Sequence, residues 1–222
     1  ITTSSIRDNV KTEMVFILDR SGSMSQLEAD TIGGYNSLLA KQKKEQGEAV
    51  VTTVLFDDKY ELIHDHADIN KVNLLTEREY YARGCTALLD AIGKTINHVG
   101  NRHKYAPDSE IPSKTMVVII TDGYENASRE FSQPQIKSMI EHQKEKFNWE
   151  FLFLGANIDA VSTARDYGIA PDRAVKYEAD SVGTMTNFNA VSETVSCVRE
   201  SRPISANWKE DIEKYIRKKN KR

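Results

Sequence analysis

Asp19, Ser21 and Ser23 place one carboxylate and two hydroxyls on alternate positions of a single short stretch, Asp19-Arg20-Ser21-Gly22-Ser23. Oxygen donors of this kind suit a hard divalent cation, and magnesium in particular accepts a compact octahedron that keeps some of its waters. Gly22 gives the backbone freedom to turn both hydroxyls inward. Two more oxygens are candidates for the same ion: the Thr86 hydroxyl, just after Gly84, and the Asp122 carboxylate in Thr121-Asp122-Gly123. Each residue taken singly also has an ordinary structural reading. Asp19, Ser21, Ser23 or Thr86 can cap a helix, and Asp122-Gly123 can be a turn. The conjunction of five positions is what carries the metal reading.

Ligands so far apart in sequence need rigid elements to bring them together, and the hydrophobic pattern supplies candidates. Residues 13–18 (EMVFIL) form an apolar run that stops abruptly at the polar segment 19–25, as a buried strand followed by a loop would. A helix is expected over about 26–46, with Leu27, Tyr35, Leu38 and Leu39 at roughly helical spacing and Gly47 as its left-handed stop. Residues 50–56 and 59–64 read as strands joined antiparallel through Asp57-Asp58 at a sheet edge. Leu88, Leu89, Ile92, Ile96 and Val99 mark one face of a helix that begins near Thr86 and frays before Pro107. The β-branched run 115–120 again ends in a polar turn, 121–126. A helix over about 133–146, a strand over 149–154, a helix over 159–167, a strand over 174–177 and a helix over 182–200 complete the series. Short, nearly all-apolar strands alternating with helices imply a sheet without a solvent-facing side. The expected class is therefore α/β and doubly wound: a mainly parallel six-stranded sheet with one antiparallel edge strand and helices on both faces. Ligands of such sheets sit beyond the carboxyl ends of the strands where the strand order reverses.

Asp19-x-Ser21-x-Ser23, Thr86 within RGCTALLDAI and Asp122 within ITDG also stand in the order of a known motif. They resemble the metal-ion-dependent adhesion site of von Willebrand factor A domains, and the strand and helix series is similar to that family over residues 11–201. The resemblance is to its compact intracellular bacterial members. It implies that Asp19, Ser21, Ser23, Thr86 and Asp122 hold Mg2+, with Mn2+ or Ca2+ as substitutes, the hydroxyls directly and the carboxylates directly or through water. It implies that the strand order reverses between the two motif-bearing strands, and that the ion binds an Asp or Glu carboxylate of a partner protein. Asn157 and Asp159, after the fifth strand, should fall on the same rim and are candidate partner contacts, with helix capping at Asn157 as the alternative.

The donor chemistry argues for binding rather than catalysis. Three of the five donors are neutral hydroxyls, so two carboxylates just balance the ion and leave it electrophilic towards another anionic oxygen. Neither motif carries a spare carboxylate or histidine to act as a base. A magnesium phosphohydrolase of the haloacid dehalogenase kind is one alternative, but its Asp-x-Asp is broken by Ser21. A metal-independent interaction scaffold is the other. Gly93-Lys94-Thr95 has Leu88 where a phosphate loop needs its earlier glycine, and no Gly-x-Ser-x-Gly elbow exists. His64 and His66 would share a strand face, yet no third zinc ligand accompanies them, and they read as an exposed edge.

Composition bounds the remaining choices. A chain of 222 residues, 39% hydrophobic and 28% charged, is long enough for one domain with a real core. Thirty Lys and Arg against 33 Asp and Glu give a net charge of −3, which disfavours wholesale nucleic-acid binding. No stretch approaches the ~18 consecutive apolar residues of a membrane span. Residues 1–9 lack the charged-then-apolar order of an export signal, although the chain opens on Ile1 and a removed leader stays open. Cys85 and Cys197 offer neither a disulfide framework nor a zinc spacing, and read as free thiols of a cytoplasmic protein. The segment 202–222 is a basic amphipathic tail. Its Trp208, Ile212, Tyr215 and Ile216 follow helical spacing among Lys209, Lys214, Arg217, Lys218, Lys219, Lys221 and Arg222, and it is expected to pack lightly on its own domain.

Overall fold

The computed structural model describes residues 10–221, so the polar stretch 1–9 and Arg222 of the basic tail lie outside the described residues. The first strand, β1 (Thr12–Asp19), is buried along its whole length. Its alternate side chains serve two cores, Met14, Phe16 and Leu18 on one face and Val15 and Ile17 on the other. A strand can be apolar at every position only when both faces are covered, and here they are.

Five further strands join it: β2 (Ala49–Phe56), β3 (Tyr60–Asp68), β4 (Lys114–Thr121), β5 (Glu150–Gly155) and β6 (Ala174–Lys176). Their order in the sheet is β3-β2-β1-β4-β5-β6. All pairs are parallel except β2 with β3, which makes β3 the antiparallel edge. The chain leaves β1 towards β2 and β3, then returns to place β4 on the other side of β1. The carboxyl ends of β1 and β4 are thus the point where the order reverses.

Helices α1 (Glu28–Gln42), α5 (Ser181–Arg199) and α6 (Glu210–Lys219) cover one face, with Tyr35, Leu38, Leu39, Val191, Val195 and Ile212 in its core. Helices α2 (Leu88–Tyr105), α3 (Gln133–Phe147) and α4 (Ala160–Asp166) cover the other, contributing Ile92, Ile96, Ile136, Ile140 and Ala164.

Three local expectations are corrected. Helix α1 is shorter than 26–46 at both ends. Gln26 is left-handed at φ 77°, so the helix starts after it, and Gly47 at φ 89° lies beyond the last helical residue. Arg199 holds the turn that follows, donating to Gln42 O at 2.5 Å and to Gly47 O at 3.0 Å, while Leu39 O and Lys41 O accept from Lys43 N and Lys44 N. Helix α2 starts at Leu88, because Thr86 N and Ala87 N are bonded outside the helix, to Asn126 Oδ1 and Asp57 O. Strand β3 runs on to Asp68, and irregular pairing with β2 splits the two histidines. His64 is buried against Tyr35 and Thr53, while His66, at φ 50°, turns towards Glu13.

The C-terminal segment packs as α6 against α5 and β6. Ile212 is buried in the core, Trp208 Nε1 donates to Asp172 O at 2.7 Å, and Lys219 Nζ reaches Glu178 and Asp180 at 2.9 and 2.8 Å.

Candidate metal centre

At the end of β1 the chain turns tightly on its own side chain. Asp19 Oδ1 accepts from Ser21 N at 2.7 Å, and Met24 N donates to Ser21 O at 2.9 Å to close a 3-10 turn. The other Asp19 oxygen accepts from Thr121 Oγ1 at 2.6 Å, tying the end of β1 to the end of β4. Ser21 Oγ and Ser23 Oγ lie 3.1 Å apart, and Ser23 Oγ donates to Asp122 Oδ1 at 2.5 Å. Thr86 enters from a third side. A Cβ built on Gly123 would stand 3.6 Å from Ser23 Oγ and 3.7 Å from Thr86 Oγ1, so both hydroxyls lie beside Gly123. All five candidate residues therefore lie at the switch point, with Ser21, Ser23 and Asp122 in side-chain contact. Asp19, Ser21, Thr86 and Asp122 are buried, while Ser23 is exposed and opens the site to solvent.

Both carboxylates of the group are shifted upward. Burial pushes the Asp19 carboxyl up to about 6, against hydrogen bonds from Thr121 and Ser21 and with a further push from the nearby Asp122 charge. Burial likewise raises Asp122, against its bond from Ser23. Asp122 Oδ2 is buried with no hydrogen-bond partner. Such an orphan costs about 1–3 kcal/mol, and a cation relieves both this cost and the carboxylate repulsion. Among the described residues no group of three or more His, Cys, Asp or Glu side chains is placed to hold a metal ion. The donor set is hydroxyls plus two carboxylates, which fits Mg2+ or a similar hard ion and not a nitrogen or sulfur site.

Asp122-Gly123 does form a bend, with Gly123 N donating to Thr121 Oγ1 at 3.4 Å, but the capping readings do not describe Asp19 and Thr86. Helix α1 has Leu27 at its N-cap and α2 has Ala87, neither with a side-chain cap bond, so Asp19 and Thr86 cap no helix. Asn157 is not the cap of α4 either. It sits left-handed at φ 55°, and Asp159 caps the helix by accepting from Ser162 N at 3.0 Å. Asn157 and Asp159 line a cleft of about 420 Å³ together with Tyr124, which is 61% exposed. Tyr124 follows Asp122 by two residues in the segment after β4. A second cleft of about 650 Å³ adjoins the Thr86 side, with Tyr60, Cys85, Lys94 and Arg129 among its lining residues.

Several supporting residues went unpredicted. Asn126 holds Thr86, Thr121 holds Asp19, and the buried Tyr80 hydroxyl donates to Asp19 O at 2.5 Å. Glu125 is not a spare base, since its carboxylate accepts from Leu89 N, Ala127 N and Ser128 N. Polar residues directly beside the motif, Thr121 and Asn126, were the one available signal. Tyr80 comes from an irregular segment and had none.

The architecture is the α/β fold of von Willebrand factor A domains. The von Willebrand factor type A protein from Catenulispora acidiphila matches with a TM-score of 0.54 at 12% identity, over 85% of this chain and 43% of that one. Proximal thread matrix protein 1 from the mussel byssus, in a structure with a zinc occupied MIDAS motif, matches with a TM-score of 0.59 at 16% identity, over 85% and 46%. The PilB minor pilin from Streptococcus sanguinis matches with a TM-score of 0.61 at 11% identity, over 87% and 63%. The chain thus spans less than two thirds of each of these proteins. No protein-family model and no curated protein sequence matches it. Among the described residues no helix is long and apolar enough to cross a membrane.

Proposed function

We propose that this chain is a non-enzymatic, divalent-metal-dependent protein-binding module. Asp19, Ser21, Ser23, Thr86 and Asp122 would hold Mg2+, or Mn2+ or Ca2+ in its place. The observation that carries this reading is the buried, unpartnered Asp122 Oδ2, on a carboxylate whose other oxygen already meets Ser23. When bound, the ion supplies an electrophilic position for a further anionic oxygen, and a partner's Asp or Glu side chain is the natural donor. The residues themselves bind and orient. Asp19 is aimed by Thr121 and Ser21, and Asp122 by Ser23. Asn157, Asp159 and Tyr124 would receive the partner surface beside the metal-bound carboxylate. The free thiols of Cys85 and Cys197 support a reducing, cytoplasmic setting.

Two features speak against a phosphohydrolase. The acid two residues after Asp19 is absent, and Glu125 is spent on backbone N–H groups. Thermal unfolding of chelator-treated protein, with and without millimolar Mg2+ or Mn2+, tests the metal reading. A ligand that binds only the folded state adds about 2.7 kcal/mol at a hundred times its dissociation constant. The expected result is a raised midpoint in the parent and none in Asp19→Ala. No shift in either protein would overturn metal dependence and leave the scaffold reading. Hydrolysis of an aryl phosphate that disappears in Asp19→Asn would replace the binding reading by an enzymatic one.

A further inference from the structure

Thr86 is held differently from the other four candidate ligands. Asp19, Ser21, Ser23 and Asp122 ride the ends of two paired strands, whereas Thr86 closes the stretch 72–87, which contains no helix or strand. Ordering such a stretch costs conformational entropy at each residue, so something specific must fix its distance from the serines. That something is centred on Arg20, the residue between Asp19 and Ser21.

The Arg20 backbone begins the connection. Its N–H donates to Phe56 O at 2.8 Å, and its carbonyl accepts from Arg83 N at 2.8 Å. Gly22 N adds a bond to Gly84 O at 3.1 Å. The Arg20 side chain is 1% exposed. Its Nε meets Asp57 Oδ2 at 3.2 Å, Nη1 donates to Glu79 O at 2.7 Å and Nη2 donates to Glu61 Oε2 at 2.5 Å. Asp57 Oδ2 also accepts from Arg83 Nε at 2.6 Å, and Asp57 O accepts from Ala87 N at 2.9 Å. Asp57 therefore grips the chain on both sides of Thr86.

Two guanidinium groups face two carboxylates, so the cluster is electrically balanced. A buried ion pair is often no more stabilising than apolar side chains of similar volume, so stability alone does not explain an arginine here. Geometry does. A planar fork of donors reaches three segments at once, which neither a lysine nor an apolar residue can do. Loss of Asp57 would leave a buried cation beside the metal loop, and loss of either arginine would free the segment that carries Thr86.

We propose that Arg20 and Asp57 are positioning residues of the metal centre: through Arg83 and Ala87 they set where Thr86 stands relative to Ser21 and Ser23, and thereby the affinity for the ion. This rests on the metal-binding reading of the site. Groups that orient ligands without touching the metal typically change its affinity by about 10–100-fold when replaced.

The test is a titration of chelator-treated protein with Mn2+, free ion being counted by electron paramagnetic resonance well below the unfolding temperature. It uses the parent, Asp57→Asn, Arg83→Gln and Asp19→Ala, with the metal-free unfolding midpoint measured alongside. Mn2+ should bind the parent, bind Asp57→Asn and Arg83→Gln about 10–100-fold more weakly, and not bind Asp19→Ala measurably. A role in folding alone would lower the metal-free midpoint and leave the affinity of the folded variants unchanged, which overturns the proposal. Should Asp57→Asn not fold, Arg83→Gln decides, because that side chain is 35% exposed and its loss strands no fully buried cation. A parent that fails to bind Mn2+ overturns the metal reading itself. A parent that binds, with Arg83→Gln equal to it, overturns only the positioning role.

Discussion

Asn126 and Thr86 bond each other twice: Asn126 Oδ1 accepts from Thr86 N at 2.8 Å, and Asn126 N donates to Thr86 O at 3.0 Å. This pair joins the loop after β4, which carries Asp122, to the irregular segment that carries Thr86. Asn126→Ala would keep the backbone bond but leave the buried Thr86 N–H without its acceptor, at a cost of about 1–3 kcal/mol. Metal affinity is expected to fall about tenfold or more, since Thr86 would lose its aim. Asn126→Asp restores an acceptor at the same place and should keep affinity near the parent's. Calorimetric titration of both variants with Mg2+ checks this, and equal loss in the two would show that the acceptor is not what matters.

A pH effect should arise at the opposite end of β1. Glu13 is fully buried, with Thr52 Oγ1 at 2.7 Å, His103 Nε2 at 2.6 Å and His66 Nδ1 at 3.3 Å. Burial alone would raise its carboxyl, but the bonds from His103, His66 and Thr52 and the His103 charge outweigh it and hold the group at about 2, below the ordinary 4.5. A carboxyl depressed in the folded state stabilises the fold above its unfolded pKa, and that contribution drains away as pH falls from about 4.5 towards about 2. The full contribution is on the order of 3 kcal/mol. Urea unfolding of the parent should lose stability across this window. Glu13→Gln should be less stable at neutral pH and respond less to acid, and parallel pH profiles for the two proteins would refute the assignment.

The readability of this chain follows from how local each signal is. The strand 115–120 and the alternation of strands with helices rest on runs of neighbouring residues, and the fold class came from them correctly. Local signals also mark Asp19, Ser21, Ser23 and Asp122 at the ends of two strands, where Ser23 meets both Ser21 and Asp122. What escaped depends on distant partners. Helix α1 gives way to turns after Gln42, and the segment from there to Gly47 is held by Arg199, far along the chain. Strand β3 outruns its apolar pattern because β2 pairs with it through an irregularity. The Arg20–Asp57 contact joins residues of opposite charge that no spacing rule relates.

The helix α6 should contribute to the stability of the domain and not merely decorate it. Ile212 is 1% exposed and belongs to the same core as Val191 and Val195 of α5. Truncating a side chain so enclosed removes both its burial and its packing, so Ile212→Ala should cost about 2–4 kcal/mol. Lys218 lies on the exposed side of the same helix, and Lys218→Ala should stay within about 0.5 kcal/mol of the parent. Guanidinium unfolding curves measure both. Equal, negligible effects would mean that α6 is undocked in solution.

Two adjacent glycines of α1 should respond to the same substitution with opposite signs. A Cβ on Gly33 meets nothing within 4 Å, on the exposed side of the helix. Alanine there relieves the helix penalty of glycine, so Gly33→Ala should stabilise by up to about 1 kcal/mol. A Cβ on Gly34 would lie 2.2 Å from Phe188 Cδ2 and 2.8 Å from its Cγ. Phe188 is 3% exposed and sits in the core between α1 and α5, so its ring can yield only by disturbing other packed side chains. Overpacking of this kind costs about 1–3 kcal/mol, which exceeds the helix gain, and Gly34→Ala should be destabilising on balance. Midpoints of chemical unfolding, measured without metal, compare the pair directly. Stabilisation by Gly34→Ala would mean that α1 and α5 approach less closely than the contact at Phe188 requires.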